Sequence, residues 1–351
     1  MKDVGIIGLP YCGKTTLFKA LTRAAVDAHG PATKPHQAVV SVPDPRLGVL
    51  SEMHHSRKVV PATLRFIDVA GFAKGSAAGD GLGAQLLGAL REVDALAVVL
   101  KAFGPDADPA ADLSDLRLEL ALADLSSFER GLERAARKAK SGDKQAKAEI
   151  ELLERARGLL DAGTPLRAEK WDAQEMAVLK NYAPLTGKPA IYVINLDESE
   201  IASASERAEG IRPSLESGAD VIALDAELEA EAAELPEEEA RGLLAEYGVE
   251  RGALDQIIAS AYRLLDLVTF LTTGDDETRA WQVRKHAPAP EAAGVIHSDL
   301  QRGFIRAEVV SYDDLVATGG WDAAKAKGRL RVEGKTYVVK EGDVVHVRFA
   351  V

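Results

Sequence analysis

Gly8-Leu9-Pro10-Tyr11-Cys12-Gly13-Lys14-Thr15 fits the pattern G-x-x-x-x-G-K-[ST]. In that pattern glycines let the backbone turn so that successive N–H groups point inward onto phosphate oxygens. Lys14 is placed to reach the β- and γ-phosphates, and the Thr15 hydroxyl to bind magnesium. Tyr11, Cys12, Gly13, Lys14, Thr15 and Thr16 are therefore the expected phosphate-binding residues. Thr16 leads into Leu17-Phe18-Lys19-Ala20-Leu21, a helix whose N-terminus favours an anion.

Two further segments supply complementary chemistry. Asp68-Val69-Ala70-Gly71 ends an apolar run, as the magnesium-side Asp and the γ-phosphate-sensing Gly do in GTPase-like proteins. Lys14, Asp68 and Gly71 are the candidate catalytic residues. Gly71, Gly75, Gly79, Gly81 and Gly83 then make a segment that a γ-phosphate can order and hydrolysis release. Asn195-Leu196-Asp197-Glu198 occupies the place of the guanine reader N-K-x-D, whose Asp accepts hydrogen bonds from N1 and N2 of guanine. Here the Lys and the final Asp are absent. Guanine donors left unpaired are costly to bury, so Asn195, Leu196 and Glu198 point to ATP.

The elements that must hold these groups are legible in the hydropathy pattern. Val4–Leu9, Thr63–Val69, Ala95–Leu100, Ala190–Leu196 and Asp220–Ala226 are mostly continuous apolar runs, the signature of parallel strands buried on both faces. Their alternation with helical stretches predicts a doubly wound α/β domain. Leu118, Leu122, Leu125, Phe128, Leu132, Ala135 and Ala139 recur at spacings of three and four. Ser141-Gly142-Asp143 breaks that pattern, and Ala146, Ile150, Leu153 and Leu160 resume it, predicting two antiparallel helices inserted into the α/β domain. The tip of that hairpin is basic, with Arg130, Arg134, Arg137, Lys138, Lys140, Lys144 and Lys147 against Glu133 and Asp143. It reads either as a solvated surface or as a contact for a phosphate backbone. KTYVVKEGDVVHVRFAV has the alternation of a hairpin turning at Glu341-Gly342-Asp343, which makes the last segment a small α+β domain.

The expected division is a nucleotide-binding domain from 1–113 and 181–268, a helical insertion from 114–180, and a C-terminal domain from 269–351. The net charge of −12 is concentrated in 181–268, which carries 19 acidic and 6 basic side chains. A negative total therefore does not exclude contact with nucleic acid. A single cysteine excludes disulfide scaffolds and cysteine-rich zinc sites. No apolar run reaches the roughly 18 to 20 residues that cross a bilayer, and the N-terminal residues lack a secretory pattern, so a cytoplasmic protein without membrane contact is expected. His54-His55 is expected to be a surface loop rather than a metal pair. Trp171, Trp281 and Trp321 are expected to be packing anchors.

Taken together, the chain resembles the YchF/Obg-like ATPase family over nearly its whole length. The resemblance runs through GLPYCGKTTLFKALT, VPDPRL (42–47), FIDVAGFAKGSAAGDGLG (66–83), REVDA (91–95), LELALADL (118–125), NLDE and AWQVRKHAPAPEAAGVIHSDLQRGFIRAEVVSYDDL (280–315). It implies a Ras-like P-loop domain with a coiled-coil insertion and a β-grasp-like TGS domain at the C-terminus. It also implies magnesium-dependent ATP hydrolysis to ADP and phosphate, association with the ribosome and its RNA, and a regulatory role in translation and stress responses. A GTPase of the Obg class and a nucleotide-binding adaptor with negligible turnover are the alternatives.

Several residues depart from the family's pattern. Tyr11 stands where Asn is usual and Cys12 where Val is usual. In the first switch, an ungapped alignment puts Ala32 on the metal-binding Thr, and Thr33 takes that role with one residue deleted. Thr15, Thr33 and Asp68 are the resulting metal ligands. Phe72 replaces the water-orienting Gln of Ras-like enzymes, which is normal in this family. The short Gly104–Pro109 loop lacks the family's His. These departures predict slow, partner-stimulated hydrolysis.

Overall fold

A computed structural model of the chain describes residues 1–22, 36–69, 82–249 and 252–350. Its residues divide into two compact units. One comprises Lys2–Val39 with Arg65–Ala261, and the other Val40–Leu64 with Tyr262–Val351. Residues 40–64, expected within the nucleotide-binding domain, thus pack with the C-terminal segment, and that unit begins at 262 rather than 269.

The strands are β1 (Lys2–Gly8), β2 (His36–Ser41), β3 (Lys58–Val60), β4 (Thr63–Asp68), β5 (Ala95–Ala102) and β6 (Ala190–Leu196). They continue as β7 (Asp220–Leu224), β8 (Leu267–Thr272), β9 (Glu277–Arg284), β10 (Phe304–Ser311), β11 (Arg331–Glu333) and β12 (Asp343–Phe349). The first sheet has the order β2-β4-β1-β5-β6-β7. Its β1–β5, β5–β6 and β6–β7 pairs are parallel. All seven residues of β6 are buried, so its unbroken apolar run is what a strand covered on both faces requires. The core beside it gathers Ile7, Leu96, Val98, Tyr192 and Ile194 with Leu113, Leu116 and Leu120.

Those last three leucines explain a difference in the helical insertion. The helix Pro109–Ala139 begins at an Asp108 N-cap, ahead of residue 114. Its first half packs on the parallel sheet through Leu113, Leu116, Leu120 and Ala123. Its second half packs through Phe128 against Leu153, Ala156 and Leu160 of the helix Lys144–Asp161. One helix therefore buries two different faces, and Leu118 and Leu122, expected inside, are exposed. The turn between the helices places Gly142 at φ 86, and the Asp143 carboxylate accepts the N–H groups of Gln145 and Ala146. At the tip, Arg134 donates to the Tyr182 hydroxyl at 3.0 Å.

In the other unit the sheet order is β11-β10-β12-β8-β9-β3. β12 pairs in parallel with β8 and antiparallel with β10, and the helix Ala289–Ile296 adds Ala289, Ala292 and Ala293 to the core. This is the expected β-grasp-like arrangement, with one correction. Residues 335–342 form no strand, because their backbone bonds go elsewhere: Ala289 N–H donates to Tyr337 C=O and Val339 N–H to Ala287 C=O. β3 joins the edge by pairing with β9, while Leu47 and Leu50 of the helix Arg46–His54 pack with Leu271 and Val310. His54 ends that helix half-buried, so it is not a loop residue. Trp171, Trp281 and Trp321 all pack at core margins.

Candidate functional site: a phosphate loop and its base cleft

The loop between β1 and the helix Lys14–Leu21 is held by close approach and backbone twist. Gly8 permits its tightest contact: a Cβ there would lie 2.5 Å from both Cys12 Sγ and the Val99 carbonyl oxygen. Gly13 adopts φ 92, and a Cβ on it would lie 2.1 Å from Asn195 Nδ2. These are the two positions where the motif's glycines are sterically required. Cys12 is fully buried beneath the loop, and burial raises its thiol pKa, so it is a packing residue. Tyr11 is the reverse, 91% exposed at φ 65 with its phenol in solvent.

Lys14 is buried, and its ammonium donates to the Leu9 carbonyl at 2.7 Å, with Cys12 Sγ at 3.8 Å. Thr15 Oγ1 donates to Asp68 Oδ2 at 2.9 Å. A hydroxyl and a carboxylate brought together at the start of the helix are hard oxygen donors, the set that suits magnesium bound beside phosphates. Thr15 and Asp68 thus meet, while Lys14 turns its ammonium to the Leu9 carbonyl. Thr33, Gly71 and Phe72 lie outside the described residues, as do Ala32 and the other switch glycines up to Gly81.

Asn195 ends β6 and braces the loop. Its Nδ2 donates to the Cys12 carbonyl at 3.0 Å, and its Oδ1 accepts the Ala226 N–H at 2.9 Å. One buried amide thus ties the phosphate loop to the start of the helix Ala226–Glu234, which Asp225 caps through the N–H groups of Glu227 and Leu228. Asn195, expected at the base, spends its side chain on this brace.

Beyond Asn195 opens a cleft of about 660 Å³. Gly13, Lys14, Thr15 and Thr16 line its phosphate end, with Tyr11 at the mouth. Leu196, Asp197 and Glu198 line the other end. Phe103, Asp225, Glu227, Leu228, Glu231 and Tyr247 complete it, and none of these six was picked out as a site residue from the sequence. The Lys101 ammonium lies 5.1 Å from the centre of the Phe103 ring. Asp197 is held by Ser199, whose N–H and hydroxyl both donate to its Oδ1 and keep its pKa low. The Tyr247 hydroxyl donates to Glu198 Oε1 at 2.5 Å. The cleft is thus cationic at one end and carboxylate-rich at the other, which fits a triphosphate joined to a base that presents an N–H donor.

Comparison with known proteins agrees with this geometry. Residues 3–130 match the family described as 50S ribosome-binding GTPase. Residues 267–350 match the C-terminal domain of YchF GTPases, described as a protein of unknown function (DUF933). The chain is 42% identical to the ribosome-binding ATPase YchF of Bacillus subtilis across 99% of both chains. It is 34% identical to Obg-like ATPase 1 of Oryza sativa subsp. japonica, over 99% of this chain and 92% of that one. The solved structure of the Schizosaccharomyces pombe YchF GTPase superposes with a TM-score of 0.86 at 32% identity, covering 99% of this chain and 97% of the other. Phosphate loop, braced cleft, inserted hairpin and full-length similarity agree, and the chain belongs to the YchF family of P-loop nucleotide-binding proteins.

Proposed function

We infer that this protein is a cytoplasmic, magnesium-dependent ATPase that acts as a nucleotide switch on the ribosome. Its relatives carry both names, ATPase in bacteria and rice and GTPase in fission yeast, so the choice of nucleotide rests on this chain's own residues. The observation that carries ATP is the base end of the cleft. Asn195-Leu196-Asp197-Glu198 lacks the Lys and the terminal Asp of a guanine reader, and the Asn195 side chain is already spent on Cys12 and Ala226. Titrating ATP and GTP against the purified protein at equal magnesium tests this reading. Tighter ATP binding is expected, and tighter GTP binding refutes it.

The residues assign the work as follows. Loop N–H groups and the Lys14 ammonium bind phosphate oxygens, for which Lys14 exchanges its Leu9 carbonyl partner. Thr15 and Asp68 are the magnesium ligands of the described residues, with Thr33 proposed as the third. Magnesium, when bound, neutralises charge between the β- and γ-phosphates. Gly71 is proposed to sense the γ-phosphate. Slow turnover follows from the Tyr11 and Gly104–Pro109 departures, and regulation of translation and stress responses is the role the family likeness supports.

Ribosomal RNA is the proposed contact of the hairpin tip. Arg137 turns back on the Glu133 carbonyl, while Lys138, Lys140, Lys144 and Lys147 make no ion pair among the described residues. Reversing Arg137, Lys138 and Lys140 to Glu is expected to weaken ribosome association and flatten its salt dependence. Unchanged affinity and slope would make the tip an ordinary solvated surface. Deletion of 262–351, the C-terminal part of its unit, is the comparison that separates the tip from a C-terminal anchor.

A further inference from the structure

Glu198 and Tyr247 face each other at the base end of the cleft from segments 49 residues apart. Glu198 begins the short 3₁₀ segment Glu198–Ser203 that follows Asp197. Tyr247 caps the C-terminus of the helix Glu237–Glu246. The turn around it is fixed: Tyr247 and Val249 N–H both donate to the Leu244 carbonyl, and Gly248 takes φ 76. These bonds fix the backbone that carries the phenol. Its hydroxyl titrates above the ordinary tyrosine range because it donates to Glu198 and faces that residue's charge. It is therefore a donor at neutral pH.

That bond changes what the carboxylate can read. Guanine presents two adjacent donors, N1–H and the N2 amine, which match the two oxygens of a free carboxylate in a bidentate pair. Adenine presents one exocyclic amine on the equivalent edge. With one lone pair of Oε1 taken by Tyr247, the two oxygens of Glu198 are no longer equal acceptors. We propose that Tyr247 is a specificity-determining residue: by holding one oxygen of Glu198 it weakens and turns the bidentate acceptor that guanine needs, and so favours adenine. The proposal rests on the ATP reading above and assigns part of that preference to a residue outside the phosphate loop and the Asn195–Glu198 motif. Tyr247 acts through Glu198, so it is a positioning residue and not a catalytic one.

The test is a double-mutant cycle on nucleotide affinity in the full-length protein, using ATP and GTP at equal magnesium. Tyr247→Phe keeps the ring and removes only the hydroxyl. It is expected to shift the ratio of affinities toward GTP by about three- to tenfold, the size of one hydrogen bond. Tyr247→Leu, with a different shape, is expected to move the ratio the same way. In a Glu198→Gln background, where the carboxylate is gone, Tyr247→Phe is expected to leave the ratio unchanged. An unmoved ratio in Tyr247→Phe, an equal loss for both nucleotides, or the same shift with Glu198→Gln overturns the proposal. Wild-type preference for GTP refutes the ATP reading itself. Wild-type preference for ATP with an unmoved variant refutes only the role of Tyr247.

Discussion

The two ends of the cleft are built by different means. At the phosphate end, eight consecutive residues fold around two obligatory glycines, and Lys14 and Thr15 find their partners at the Leu9 carbonyl and Asp68. At the base end, the walls come from the end of β6, the start of the helix Ala226–Glu234 and the turn after the helix Glu237–Glu246. Phosphates are alike in every nucleotide, so their site can be a rigid backbone device that one local motif specifies. A base must be told from its rivals, and that discrimination is assembled from side chains distant in sequence. Substitutions at the phosphate end should therefore weaken all nucleotides alike, while those at the base end should change their ranking.

The largest effect is expected from Lys14→Ala, with Asp68→Ala next. Each removes a charge-assisted contact, worth roughly 1.5 to 3 kcal/mol. Lys14→Ala should abolish productive phosphate binding, and Asp68→Ala should weaken magnesium retention, both measurable by calorimetric titration with and without the metal. Wild-type ATP affinity in either variant would refute the site. An effect on ATP much larger than on GTP would break the distinction between the ends.

Gly13→Ala probes the brace that joins them. At φ 92, and with a Cβ 2.1 Å from Asn195 Nδ2, the substitution strains the loop and displaces Asn195 from Cys12 and Ala226. A cost of about 1 to 3 kcal/mol in unfolding free energy is expected. Asn195→Ala should cost a similar amount, because it strands a buried N–H at Ala226. Urea denaturation measures both. A variant as stable as the parent would mean that the loop holds its shape without Asn195.

How much of this was legible in the sequence follows the same division. The loop motif, Asp68 and five of the six strands of the first sheet are local signals, and Thr15 and Asp68 meet because two adjacent strands of the sheet deliver them to the same end. Glu198 was legible from its motif position. Tyr247 was not, since no spacing rule links a helix C-cap to a loop 49 residues earlier. Leu118 and Leu122 misled because the helix periodicity is continuous while the partner changes from sheet to helix along its length. Residues 335–339 misled because β-alternation says nothing about which backbone will accept the bonds, and here 287–289 take them.

A smaller shift is expected from rebuilding the base reader. Leu196→Lys with Glu198→Asp restores the N-K-x-D pattern and shortens the carboxylate away from Tyr247. Affinity should move toward GTP, by a fraction of the 10⁴ to 10⁵ that a fully hydrogen-bonded site achieves. Leu196 is buried at the end of β6, so the Lys ammonium must reach the cleft along its apolar stem. Competition of GTP against bound ATP reads the change, and an unmoved ranking would place base recognition on residues outside Asn195–Glu198.

The smallest and most selective effect concerns potassium. In related NTPases with a hydrophobic residue at the switch position of Phe72, an Asn in the phosphate loop helps hold a monovalent cation beside the β- and γ-phosphates. There the cation stabilises charge that develops during phosphoryl transfer. Tyr11 occupies that position here. Its phenol oxygen sits farther from the backbone than an amide oxygen would, and the side chain is 91% exposed with the loop at φ 65. Asn accepts a left-handed backbone more readily than most residues, so Tyr11→Asn should leave the loop intact. Intrinsic ATP turnover of the unmodified protein is expected to be slow and nearly the same in potassium and in sodium at fixed ionic strength. Tyr11→Asn should restore a preference for potassium in turnover while leaving ATP affinity and the ATP-to-GTP ranking near those of the parent. That pattern would separate a catalytic contribution of the loop from its binding role, because only the transition state gains from the cation. Strong potassium activation without the substitution would show that other ligands rebuild the cation site, and the argument from Tyr11 would fail.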